Sequence, residues 1–135
     1  MKLGLTTRLH TTFDEAVTRT RDALSQQGFG VLTEIDMRAT LKTKLGEDME
    51  DYLILGACNP PLAHRAVSAD RQIGLLLPCN VVVRRDPHSE STIIVEAMNP
   101  DVMVEVTDDP ALQPIATQAS AKLQAALDSL EDNSP

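Results

Sequence analysis

The spacing of apolar residues in this chain switches from two to roughly 3.6 and back to two within the first 37 positions. An alternating segment half-buries as a strand, and a stripe at helical spacing needs an apolar surface to lie on. The order strand, helix, strand therefore commits the chain to helices packed on a sheet. Leu3, Leu5 and Leu9 fall on one side of the first strand, Arg8 and His10 on the other. Thr12, with Glu15 three residues later, is the pattern of a capped helix start. The helix after it carries Phe13, Ala16, Val17, Thr20, Ala23 and Leu24 on one stripe and stops at Gly28. Phe29, Val31, Thr33, Ile35 and Met37 then share one face of a second strand, opposite Glu34 and Asp36.

Leu41, Leu45 and Met49, spaced by four, predict a short helix near 39–45 that ends at Gly46. Tyr52 to Cys58 is an unbroken apolar run, predicting a strand covered on both faces or buried at a contact. Asn59-Pro60-Pro61 reads as a helix start, with Asn59 as N-cap and prolines in the first turn. That short helix, near 60–69, turns Leu62, Ala63, Ala66 and Val67 inward and His64, Arg65 and Ser68 outward. Ile73 to Val83 reads as a strand whose Pro78 demands an edge, a bulge or a break. Thr92 to Met98 predicts another strand. After a bend at Asn99-Pro100, alternating Val102, Val104 and Val106 predict the last one. A long helix follows Asp108-Asp109-Pro110 on a stripe running from Leu112 to Leu130. The sum is an α+β fold in a single domain, 1–132, with residues 133–135 expected to fray. The expected sheet is curved and mostly antiparallel, β-α-β(4)-α-like, with both long helices on one face.

Charge and composition narrow the function classes. Net charge is −8, and residues 101–135 carry seven acids against Lys122 alone. Gripping phosphates takes clustered Lys and Arg, so no nucleic-acid partner is expected. No apolar run approaches the ~18–20 residues that span a bilayer, so no membrane partner is expected either. Met1-Lys2-Leu3 leads directly into an alternating segment rather than a secretory leader. Two cysteines in that context read as free thiols in a cytoplasmic protein. Phe13, Phe29 and Tyr52 are the only aromatic residues, so the core is aliphatic and has few rings for stacking a base or a flavin.

The run Tyr52-Leu53-Ile54-Leu55-Gly56-Ala57-Cys58-Asn59-Pro60, and the run from Ile73 through Pro78-Cys79-Asn80 to Val83, closely resemble two signature segments of the family catalogued as domain of unknown function 302. Val106 to Leu112 and the final helix are similar to its C-terminal part, so the resemblance covers about Leu3 to Leu130. It implies a fold similar to that of the TATA-box-binding protein, and self-association as a homodimer. It implies no activity, and a shared architecture does not bring DNA binding with it.

The same two segments hold the candidate site: Cys58, Asn59, Cys79 and Asn80, with His64 the nearest further side chain. A thiol just before a helix N-terminus is a candidate nucleophile, metal ligand or redox sensor, because the dipole favours its thiolate. The plain alternative for both cysteines is a small buried apolar residue. Structural zinc wants four ligands and only two thiols are at hand, so no metal and no cofactor are expected. Three functions compete. The first is a binding or sensor module with a pocket for an apolar small molecule; the second is cysteine-based redox, sulfur-transfer or metal-handling chemistry. The third is a homodimeric partner protein without a ligand.

Overall fold

The computed structural model describes residues 1–132, and the expected frayed tail, 133–135, lies outside the described residues. Strands β1 (Gly4–Leu9), β2 (Gly30–Asp36), β3 (Tyr52–Cys58), β4 (Cys79–Asp86) and β5 (Ser89–Met98) form one antiparallel sheet in the order β1-β5-β4-β3-β2. The helices are α1 (Phe13–Gln26), α2 (Met37–Leu45), α3 (Pro60–Ala69), α4 (Asp101–Thr107) and α5 (Gln113–Asp132). The class is α+β, as the periodicity predicts.

Local chemistry explains where the helices begin and end. The Thr12 hydroxyl accepts the Glu15 N–H at 3.1 Å and starts α1. At the other end Gly28 takes φ +84°, its N–H bonding Ser25 O while the Phe29 N–H bonds Leu24 O. That closing turn satisfies two orphan carbonyls and swings Phe29 back against Leu24 in the core. Asp36 caps α2, and Gly46 at φ +71° ends it.

The core lies between α1, α5 and one face of the sheet. Leu53, Leu55 and Ala57 of β3 stand beside Val83, Val81 and Cys79 of β4. Val83 and Val81 in turn neighbour Val95 and Ala97 of β5. All of these are buried, together with Leu123, Ala126, Leu127 and Leu130 of α5. A second cluster sits beyond the ends of β3 and β4, where α3, α4, the 3-10 turn Pro110–Leu112 and the first half of α5 bring Leu62, Ala66, Met103, Leu112, Ile115 and Ala119 together.

Three expectations are corrected. Val102–Val106 is not a strand but most of α4: the Asn99 side chain accepts the Asp101 N–H, and Val102 and Met103 donate to Asn99 O and Pro100 O. β5 already has β1 on one side and β4 on the other, so the alternating valines find no sheet edge there. The described sheet has five strands, as the β-α-β(4)-α-like order requires. The run 73–83 is strand only from Cys79, because Arg71–Leu76 is a 3-10 turn that buries Ile73, and a cis Leu77–Pro78 bond follows it. Finally, the shared face expected of Phe29 to Met37 ends at Val31. A bulge between Val31 and Thr33 shifts the register, Ile35 is exposed and Met37 already belongs to α2.

Candidate functional site

Cys79 pairs across the strands with Ala57, so the Cys-Asn-Pro and Pro-Cys-Asn segments lie side by side at one end of the sheet. Gly56 permits that approach. A Cβ there would stand 2.1 Å from the Thr33 hydroxyl and 2.8 Å from Cγ of Pro78, both closer than any side chain tolerates. The Pro78 ring therefore folds over β3, and Cys79 enters β4 on the buried face.

Beside these segments is a cavity of about 280 Å³. Its walls come from the ends of β3 and β4, the start of β2, α3, Met103 of α4, and Ile115 and Ala119 of α5. Cys58, Asn59 and Cys79 all line it. Asn80 and His64 do not. Strand alternation sends Asn80 to the other face of the sheet, opposite Gly56, where it is exposed. His64 is exposed on the outer side of α3, as helical spacing requires.

Asn59 is a joint rather than a reacting group. It is buried; its Oδ1 accepts the Leu62 N–H at 3.4 Å, and its Nδ2 donates to Gln27 O at 3.3 Å. One side chain thus caps the start of α3 and bonds the chain at the end of α1, which ties the helix beside the cavity to the core.

The two thiols are free and differ in exposure, Cys58 half-buried and Cys79 buried. Burial first, and the neighbouring Cys58 second, push the Cys79 thiol up to about 11. It is a neutral S–H at physiological pH. The first turn of α3 also offers less to a thiolate at Cys58 than a helix start usually does. Pro60 and Pro61 have no N–H, the Leu62 N–H is taken by Asn59 Oδ1, and the Ala63 N–H by Asn59 O. Among the described residues no three His, Cys, Asp or Glu side chains converge as a metal site. No described helix is long and apolar enough to cross a membrane.

The sequence pattern points to the inner stripe of α3 but not to Phe29, Leu77, Met103, Ile115 and Ala119 as walls. These residues come from separate stretches of chain. The nearest signal is the run of small residues, Ala63, Ala66 and Ala119, that leaves room where α3 and α5 face the strand ends.

Fold and site together define a small α+β protein whose sheet end, closed by helices, leaves an apolar cavity bearing two thiols. The family model described as Domain of unknown function DUF302 matches residues 5–130, and the chain belongs to that family. A solved structure described as the uncharacterized conserved protein DUF302 from Bacillus stearothermophilus is 32% identical. It superimposes with a TM-score of 0.86, over 95% of this chain and 98% of that one. No curated protein matches.

Proposed function

We propose that the protein is a binding or sensor module that takes a small apolar molecule into the cavity beside Cys58 and Cys79. The observation that carries this is the lining. About 280 Å³ of space, open to solvent on one side and walled almost wholly by apolar side chains, suits an apolar occupant better than it suits water. The size suits a compact molecule at the small end of the ligand range. The test is saturable binding of the neutral dye N-phenylnaphthylamine, followed by fluorescence. Ala66→Phe, which fills the cavity from α3, abolishes the signal if the reading holds. Dye binding unchanged in a folded Ala66→Phe protein refutes it.

A second reading rests on two free cysteines meeting at one cavity. It assigns thiol chemistry to the half-buried Cys58, with Cys79 as its neutral neighbour. Alkylation of native protein by iodoacetamide at neutral pH, faster at Cys58 than at an unstructured peptide thiol, supports it. A rate slower than the peptide's removes it.

The free thiols agree with a cytoplasmic, reducing setting. Self-association is favoured by edge strand β2, whose Leu32 and Ile35 are exposed. Sedimentation equilibrium of the native protein and of a Leu32→Lys, Ile35→Lys variant tests it. A native dimer that the variant dissociates bears it out, and a native monomer at high concentration ends it.

A further inference from the structure

We infer that the cavity selects its ligand by charge, admitting uncharged molecules and rejecting carboxylates, phosphates and ammonium groups of the same size. This rests on the cavity reading above and adds the chemical class of the occupant.

The reasoning is a census of polar groups along the wall. Apart from Asn59 and the two thiols, the lining side chains are apolar, among them Phe29, Leu62, Ile115 and Ala119. Among the described residues no Lys, Arg or His lines the cavity to meet an anion, and no Asp or Glu lines it to meet a cation. Arg65 of α3, the nearest candidate in sequence, is spent on Gln118 at the exposed surface, 3.0 Å away. Both polar atoms of the Asn59 amide are engaged in joining α1 to α3.

A helix start beside a cavity is ordinarily an anion site, because three or four N–H groups point out of it. Here that device is switched off. Two consecutive prolines remove two donors, and Asn59 consumes the next two through its side chain and its carbonyl. Apart from the Asn59 amide, the lining side chains of the described residues offer only sulfur as a polar group, and the Cys79 thiol stays protonated well above neutral pH. An ion entering the cavity would shed its water with no compensating partner, which disfavours it far more than it disfavours a neutral isostere. The chain's net charge of −8 attracts cations toward the surface, but among the described residues no carboxylate lines the cavity to hold one.

The experiment is displacement of bound N-phenylnaphthylamine by hexanol, hexanoate and hexylammonium at neutral pH. These share one chain and differ in charge. Hexanol is expected to displace the dye at a concentration at least about tenfold lower than either ion. Hexanoate or hexylammonium acting at an equal or lower concentration than hexanol overturns the inference. Ala63→Lys places a cation on the same wall, and it is expected to improve hexanoate relative to hexanol. An unchanged order in that variant also overturns the inference, since the ligands then do not sit beside α3. Failure of the underlying reading looks different: the dye then binds Ala66→Phe as well as it binds the native protein, whatever the order of the three displacers.

Discussion

The two halves of α5 belong to different kinds of interior. Leu123, Ala126, Leu127 and Leu130 seal against α1 and the sheet, where neighbouring side chains such as Leu55, Val81, Val83 and Val95 are wholly buried. One turn earlier, Ile115 and Ala119 face α3 and α4 across a partly open cavity of about 280 Å³. The residue types hardly differ. What differs is the surface opposite. A sheet presents a continuous row of branched side chains that mesh with a helix stripe. The ends of β3 and β4 meet three short elements that cannot tile the space between them. Dense packing and a ligand-sized gap thus follow from one amphipathic helix that overhangs its sheet.

The comparison is most exposed to truncation. Leu123→Ala, in the sealed half, is expected to cost about 3–4 kcal/mol of unfolding free energy. Ile115→Ala, beside existing space, is expected to cost about 2 kcal/mol. Chemical denaturation of both variants decides; equal losses would mean that the two regions are packed alike.

Cys79 stands on the border between the regions, and its raised pKa makes a prediction at alkaline pH. Because the folded protein holds this proton to about 11, against about 9 for an unburied thiol, the unfolded chain loses it first. Stability is therefore full below about pH 9 and falls as pH rises through 11, by on the order of 3 kcal/mol. Cys79→Ala is expected to flatten that limb of the stability curve. A native curve that is already flat contradicts the burial assigned to this thiol.

Asn59 joins the helix that borders the cavity to the helix that borders the core. Asn59→Ala removes both of its bonds and is expected to cost about 2 kcal/mol, whereas Asn59→Ser keeps an N-cap acceptor and costs about 1 kcal/mol. If serine restores full stability, the link to Gln27 contributes nothing.

The smallest effect is the most discriminating. Ala126→Val inserts two methyl groups into the sealed half and is expected to cost about 1–2 kcal/mol. Ala119→Val points the same groups into the cavity and is expected to change stability by less than about 0.5 kcal/mol while weakening dye binding. Thermal unfolding of the pair reads this directly, and a larger loss at position 119 than at 126 reverses the assignment.

Some of this was legible in the chain. The capped start at Thr12, the stop at Gly28 and the Asn59-Pro60 helix start are local devices, and each appears where its residues predict. α4 imitates a strand in sequence because Val102, Val104 and Val106 alternate. The better signal was Asn99-Pro100, which repeats the Asn59-Pro60 pattern and likewise turns a strand exit into a helix. Alternation becomes a strand only where a sheet edge is open, and β5 has none. The candidate site divides on the same ground. Cys58 and Cys79 come together because Ala57 and Cys79 are in register, whereas Asn80, adjacent in sequence, is carried to the opposite face by the pleat.

The linear order of residues by itself determined the element types, most of their ends and the aliphatic character of the interior, since each depends on neighbours a few positions away. Tertiary structure alone decided where the interior stays unfilled. A void is a difference between volumes contributed by Phe29, Ala66, Met103 and Ala119, which no stretch of chain brings together until the helices have docked.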